Sequence, residues 1–228
     1  MNYVIPAPPI PTVTVYHTRD RFPVHRIYCV GRNYAEHARE MGHDPDREPP
    51  FFFQKNPDTI VPDGGQLAYP SKTQDLHHEL ELVVALASGG ADIAAGDALD
   101  HVYGYAVGLD MTRRDLQSQM KKLGRPWEIG KAFENAAPCA PIRLAREIGH
   151  RAEGLMWLKV NGHLRQQGNL NQMIWSVPEV IAYLSGLFTL APGDLIYTGT
   201  PSGVAAVHRG DVLHGGIDGV GELTITVT

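Results

Sequence analysis

Residues 79–87 read ELELVVALA, a segment that begins with alternating acidic and apolar residues and continues as an unbroken apolar run. Glu79 and Glu81 are two residues apart, so on a β-strand both carboxylates point to one face, about 7 Å apart. Residues 82–87 are apolar on both faces, which is typical of a strand that enters a buried sheet. The stretch predicts a central strand with two acidic side chains at its start. By itself the acidic pair is equally compatible with a solvated strand face.

Strand-forming composition recurs along the chain, separated by Gly- and Pro-rich turns. The further predicted strands are RIYCVG at 26–31, HVYGYAVGLD at 101–110, LMWLKVNG at 155–162, DLIYTGT at 194–200 and ELTITVT at 222–228. Start signals mark three helices: Asn33 with Glu36, Thr112 with Asp115, and Ser176 with Glu179. The fold class is therefore a β-rich α+β protein, a sheet-rich roll with a few peripheral helices rather than a doubly wound α/β fold.

Composition places the chain among ordinary globular proteins of one domain, with 228 residues, 43% hydrophobic and 20% charged. The net charge of −5, with Lys and Arg scattered, gives no footprint for nucleic acid. No run approaches the roughly 20 apolar residues of a membrane span, and the N-terminus is a poor signal peptide. Cys29 and Cys139 indicate neither a disulfide framework nor a cysteine metal site, so we expect a cytoplasmic protein.

A third carboxylate, Asp110, ends the predicted strand 101–110, where the residues on its own face are mostly small. It could also simply begin the next helix. Three carboxylates within about 4 Å would repel by roughly 4 kcal/mol per pair at an effective dielectric constant of 20, so such a cluster needs a cation. Oxygen ligands alone favour Mg²⁺ or Mn²⁺. Glu79, Glu81 and Asp110 are thus candidate ligands of an open, catalytic metal site.

Other polar side chains are candidates for catalysis. His37 and Glu40 lie on one face of the predicted helix 33–41, where the carboxylate could orient a general base, and the helix could be a lid. An ordinary surface pair is the alternative. Lys131 has Trp, Ile and Phe close in sequence, and Thr200 lies in the Gly-flanked loop TGTPSG, whose backbone N–H groups could bind a carboxylate. A solvated lysine and a plain turn remain possible.

Taken together, these segments resemble the fumarylacetoacetate hydrolase family, specifically its short acylpyruvate hydrolase branch. The stretches that carry the resemblance are YCVGRNYAEHAREMG, HHELEL, GYAVGLDMTRRDLQ, GRPWEIGKAF, LKVNGHLRQQGNLNQMIWSVPEVIAYLS, LAPGDLIYTGTPSGV and GDVLHGGIDGVGELTITV. It implies a mixed β-roll or sandwich as a catalytic domain over 24–228, preceded by an extension at 1–23, and a homodimer.

The resemblance also implies roles for individual residues. It places Mg²⁺ or Mn²⁺ on the carboxylates at 79, 81 and 110, and a water-activating dyad at His37 and Glu40. Gln117, Lys131, Arg114 and Thr200 then face the substrate, with Gln117 and Lys131 taking part in catalysis. The family's substrates are 2,4-dioxo acids, which are cleaved between C3 and C4.

The substrate is less sharply defined than the family. The Phe51 to Phe53 run and the Asn-rich QGNLNQMIW are closest to the fumarylpyruvate and maleylpyruvate hydrolases of aromatic (gentisate-type) catabolism. Oxaloacetate decarboxylation, or another decarboxylase or isomerase activity of the family, is the open alternative, since it uses the same metal enolate. It needs no attacking water, however, and the intact pair of His37 and Glu40 favours hydrolysis. A reading of another class, an inert binding module for small dicarboxylates, is disfavoured because such a module needs no base.

Overall fold

The structure is a computed structural model that describes residues 2–36 and 48–228. Its strands are β1 Thr12–Thr14, β2 Arg21–Pro23, β3 Ile27–Gly31, β4 Phe51–Lys55, β5 Ile60–Pro62, β6 Gln66–Leu67, β7 Leu76–His77, β8 Leu80–Leu86, β9 Val102–Leu109, β10 Thr112–Arg113, β11 Ala137–Cys139, β12 Arg143–Leu144, β13 Leu155–Val160, β14 His163–Asn169, β15 Leu195–Tyr197, β16 Ala206–Val207, β17 Val212–Ile217 and β18 Gly221–Val227. The α-helices of this part of the chain are α1 Arg114–Leu123, α2 Glu128–Lys131, α3 Ala145–Ile148 and α4 Val177–Leu187, and 3₁₀ turns lie at Pro57–Thr59, Ala98–His101 and Leu170–Gln172.

The largest sheet has eight strands and contains the stretch that the sequence places at its centre. Its order is β4-β3-β15-β8-β9-β11-β5, with β12 also paired to β9. All seven residues of β8 are buried, as the apolar pattern predicts. Because side chains alternate across a strand, Leu82 and Val84 pack into one core cluster and Val83 and Ala85 into another. Both faces of this sheet are therefore covered.

A second sheet of five strands, in the order β14-β13-β17-β18-β6, closes the larger core. Leu158 of β13 and Leu223 of β18 share one cluster with Leu82 of β8 and Tyr105 of β9. Short sheets pair β10, β7 and β16, and β1 with β2. The strand-rich fold with few helices confirms the predicted β-rich α+β class.

Of the three predicted helix starts, one is confirmed, one is wrong and one lies largely outside the described residues. At α4 the predicted capping box is present. The Ser176 side chain accepts a hydrogen bond from the Glu179 N–H, and Glu179 Oε2 accepts one from the Ser176 N–H at 2.9 Å. At α1 the predicted N-cap is wrong: the helix begins at Arg114, and Thr112 lies in β10. The Thr112 hydroxyl instead accepts a hydrogen bond from Lys131 Nζ at 2.7 Å. The third predicted helix, 33–41, lies largely outside the described residues.

The first strands pack onto the domain. Val13, Val15 and Phe22 are buried in the second core cluster, and the backbone of Val15 bridges to Ile142. The division into an extension at 1–23 and a catalytic domain at 24–228 stays a prediction. None of the helices described is long and apolar enough to cross a membrane.

Candidate metal centre and active site

Glu79, Glu81 and Asp110 converge at one end of the central strand pair. In the β8–β9 ladder Leu80 is opposite Leu109 and Glu81 opposite Gly108, and the Asp110 N–H donates to the Glu79 carbonyl at 2.9 Å. This register brings one oxygen of each carboxylate within 4.8 Å of the others. The exposed fraction is 5% for Glu79, 2% for Glu81 and 1% for Asp110, so water cannot screen their repulsion.

Cationic side chains surround this triad. Residues 2–36 and 48–228 contain seven buried Asp, Glu, Lys and Arg side chains, and six of them form this one cluster: Lys55, Glu79, Glu81, Asp110, Arg114 and Lys131. Its formal charge is zero, from three carboxylates and three cations. A bound divalent ion would bring the cluster to +2, which favours an anionic ligand beside it.

Lys131 is buried, and its ammonium bridges two members of the triad. Nζ donates to Glu79 Oε2 at 2.9 Å and to Asp110 Oδ2 at 2.7 Å. Burial alone would lower the pKa of Lys131, but the charges of Asp110 and Glu79 outweigh burial and raise it. The side chain is therefore a persistent cation beside the carboxylates.

Lys55 is a member of the cluster that sequence reasoning missed. Its ammonium lies 2.8 Å from Asp110 Oδ1 and donates to the Met111 carbonyl at 3.0 Å and to the Lys131 carbonyl. Lys55 thus ties one carboxylate of the triad to the backbone of the helix that carries Lys131. The available signal was a lysine at the end of the aromatic run FFFQK, which occupies strand β4.

Glu81 gives the clearest indication that the cluster suits a cation. Burial, followed by the negative charges of Asp110 and Glu79, raises the pKa of Glu81 well above its usual range, while the Gly199 N–H, 2.8 Å from Oε2, lowers it. A carboxylate in such surroundings stays ionised at neutral pH when a hard cation joins the cluster. An all-oxygen donor set of this kind fits Mg²⁺ or Mn²⁺.

Arg114 and Gln117 lie on helix α1, next to the triad. Arg114 Nη2 donates to Glu79 Oε1 at 2.5 Å, and Nη1 donates to Gln117 Oε1 at 2.7 Å. Helix α2 approaches closely at Gly130, where an added Cβ would lie 2.9 Å from the Gln117 backbone nitrogen. The glycine therefore permits the close approach of helix α2, which carries Lys131, to helix α1, which carries Gln117.

Thr200 is held by a buried glutamine on strand β14. Gln166 Nε2 donates to Thr200 Oγ1 at 2.8 Å, and Gln166 Oε1 accepts from the Leu80 N–H at 3.0 Å and bonds to His78 Nδ1 at 2.9 Å. Burial lowers the pKa of His78 to about 4, so the imidazole is neutral. Nδ1 carries its proton, because the partner of Nδ1, Gln166 Oε1, can only accept. Because Thr200 Oγ1 accepts from Gln166, its own proton is free to point elsewhere, and Thr200 lines the pocket.

Replacing Gln166 by leucine should lower the free energy of unfolding by about 2 to 4 kcal/mol. The reason is that two buried donors, His78 Nδ1 and the Leu80 N–H, and one buried acceptor, Thr200 Oγ1, each lose a hydrogen-bond partner. Urea denaturation measures the change. Gln167→Leu is the matched control, since the neighbouring residue on the same strand is exposed. Equal losses in the two variants would contradict the role of Gln166 in the network.

The pocket joins the cluster to the protein surface. Besides the triad, Arg114, Gln117, Lys131 and Thr200, it is lined by Val30, Gly31, Arg32, Phe51, Phe53, Lys121 and Trp127. The structure thus brings together seven of the nine residues that the sequence singles out. His37 and Glu40 lie outside the described residues.

A match to a family model shows which protein family the chain belongs to. The model described as "Fumarylacetoacetate (FAA) hydrolase C-terminal" matches residues 26–228. The chain belongs to the fumarylacetoacetate hydrolase family. A solved member is similar over its whole length: the fumarylpyruvate hydrolase of Pseudomonas aeruginosa, in complex with Mn²⁺ and pyruvate, has a TM-score of 0.97 and 54% identity, and the match covers 100% of this chain and 99% of that one.

Two curated members of the fumarylacetoacetate hydrolase family bear different names. The fumarylpyruvate hydrolase of Ralstonia sp is 44% identical over 82% of this chain and 98% of its own. A mitochondrial oxaloacetate tautomerase of Rattus norvegicus is 44% identical over 85% of this chain and 87% of its own. Family membership is therefore shared by proteins of two activities.

Proposed function

We propose that this protein hydrolyses the C3–C4 bond of a 2,4-dioxo acid, fumarylpyruvate, to give fumarate and pyruvate. The observation that carries the proposal is the buried cluster of three carboxylates and three cations at the base of an open pocket. Its similarity over the full length to a fumarylpyruvate hydrolase seen with Mn²⁺ and pyruvate supports the choice of acid.

The carboxylates and the histidine are assigned their roles from the charges that each could stabilise or transfer. Glu79, Glu81 and Asp110 would hold a divalent ion, which would supply Lewis-acid chemistry for the negative charge that develops on the departing pyruvate. His37, oriented by Glu40, takes a proton from the water that attacks C4.

Lys131, assisted by Gln117, donates to the oxyanion that forms at C4. Arg114 and Thr200 bind the 1-carboxylate, at the end of the substrate that is released as pyruvate. The C3–C4 bond then breaks, its electron pair stays on C3, and protonation of C3 gives pyruvate. The raised pKa of Lys131 supports its role as a charged donor.

Oxaloacetate is the second candidate substrate, because a tautomerase that acts on it is as similar in sequence as a fumarylpyruvate hydrolase. Decarboxylation or tautomerisation would use the same metal position but no attacking water. Maleylpyruvate is a further candidate within the hydrolase reading.

One comparison tests the function. Purified protein is assayed for loss of the enol absorbance of fumarylpyruvate, with and without Mg²⁺ or Mn²⁺, and in parallel for decarboxylation and tautomerisation of oxaloacetate. We expect metal-dependent cleavage of fumarylpyruvate to have the higher kcat/KM. A higher value for oxaloacetate would overturn the assignment.

The dyad has its own test. His37→Ala should lower hydrolysis by at least about 100-fold, the usual contribution of a general base. It should leave binding of Mg²⁺ and oxalate, a mimic of the pyruvate enolate, unchanged in calorimetry. Hydrolysis near the wild-type rate would remove His37 from the mechanism.

We also propose a cytoplasmic homodimer that acts in aromatic (gentisate-type) catabolism. The buried, unpaired thiols of Cys29 and Cys139 support a reducing compartment. The family resemblance supports the dimer, and light scattering coupled to size-exclusion chromatography tests it.

A further inference from the structure

The outer part of the pocket carries two cations that the proposed chemistry does not use. Arg32 follows strand β3 and Lys121 lies on helix α1, and both line the same pocket as the triad. Each side chain is half-buried. They stand apart from the six charged residues of the buried cluster, which already serve the metal position and the reacting end of the substrate.

Arg32 and Lys121 line the same pocket, and their positive charges interact there. The pKa of Lys121 is lowered, first by burial and then by the positive charges of Arg32 and Arg114. Burial likewise lowers the pKa of Arg32, against the charge of Glu48. Like charges brought together in a partly buried pocket favour an anion between them.

Arg32 is also held in place by an aromatic wall. Its guanidinium carbon lies 5.3 Å from the centre of the Phe51 ring, which meets Trp127 edge-on at 5.3 Å. The Phe51 ring lies against Gly31, where an added Cβ would come within 2.1 Å of the ring. Glycine at 31 therefore allows the wall to form directly beside Arg32.

We propose that Arg32 and Lys121 form a subsite for a second carboxylate, at the end of the acyl chain remote from the carbonyl that water attacks. The inference rests on the proposed function and assigns the residues that bind the second carboxylate of fumarylpyruvate. Phe51, Phe53 and Trp127, which line the pocket, would flank the planar acyl chain. The outer cations then balance the charge that distinguishes a fumaryl group from a simple acyl group.

Paired substrates test the subsite. The kcat/KM of Arg32→Gln and Lys121→Gln is measured with fumarylpyruvate and with acetylpyruvate, which lacks the second carboxylate. We expect each variant to lose about 10- to 100-fold on fumarylpyruvate, the usual cost of a lost charge-assisted hydrogen bond, and less than about threefold on acetylpyruvate. Lys122→Gln, one residue along and exposed, is the matched control and should match the wild type on both substrates.

A binding experiment separates this inference from the proposed function. Calorimetry compares fumarate with crotonate, in which a methyl group replaces one carboxylate, on the metal-loaded wild type and both variants. Fumarate should bind the wild type more tightly than crotonate, and this preference should vanish in Arg32→Gln and Lys121→Gln. Equal losses on both substrates, or a preference for fumarate that survives, would overturn the subsite, whereas a wild type that cleaves neither dioxo acid would overturn only the proposed function.

Discussion

Asp110→Asn should abolish the rise in melting temperature that Mg²⁺ or Mn²⁺ produces and should lower hydrolysis of fumarylpyruvate by roughly 1,000-fold. The loss corresponds to several kcal/mol of transition-state stabilisation from the metal. Asp110 is 1% exposed and lies within 4.8 Å of Glu79 and Glu81, so its charge is a large part of what makes the cluster attractive to a cation. Asparagine keeps the shape but removes that charge.

Differential scanning fluorimetry with and without the metal measures the first effect, and the enol assay measures the second. Asp100→Asn, on an exposed carboxylate of the 3₁₀ turn Ala98–His101, is the matched control and should keep the full metal response. Circular dichroism establishes that the Asp110 variant is folded. A normal metal-dependent shift in the folded variant would remove Asp110 from the ligand set.

Lys131→Met should change two properties in opposite directions. Hydrolysis should fall by about 100- to 1,000-fold, because the oxyanion loses a donor. Affinity for Mn²⁺ should rise by at least about tenfold, because a unit positive charge leaves the neighbourhood of the metal, where charges about 4 Å apart interact by about 4 kcal/mol at an effective dielectric constant of 20. The present contacts of Nζ with Glu79 and Asp110 are the reason for the second expectation.

The same substitution should destabilise the metal-free protein by about 3 to 5 kcal/mol, since it leaves buried carboxylates without their bridging cation. Adding Mn²⁺ should restore much of that stability. Titration calorimetry and urea denaturation make the two measurements, with Lys122→Met as the exposed control. Metal affinity that falls together with hydrolysis would mean that Lys131 supports the metal position instead of opposing it.

Local patterns were sufficient for six of the strands (β3, β8, β9, β13, β15 and β18) and for part of the site. A strand repeats every two residues, so Glu79 and Glu81 had to share a face, and the apolar run after them had to lie in a buried sheet. The capping box at Ser176 is equally local, because its two partners are three residues apart. Each of these features depends only on neighbours in the chain.

Other features depended on contacts between distant segments. Threonine is a residue type that favours the N-cap position, yet the Thr112 hydroxyl accepts a hydrogen bond from Lys131, nineteen residues further along the chain. The helix begins instead at Arg114. Lys55 resembles any lysine at the end of a strand until β4 places it against Asp110, fifty-five residues away. A local sequence pattern carries no information about contacts between residues so far apart in the chain.

The β-rich class, the acidic pair on one strand face and the preference of oxygen ligands for a hard ion follow from the amino-acid sequence. That Asp110 joins the pair depends on the pairing of β8 with β9 in the folded chain. The position of Lys55, Arg114 and Lys131 around the triad likewise depends on the tertiary fold. Periodicity within a strand is a short-range property of the backbone, whereas strand register and the meeting of buried charges are set by packing over the whole chain.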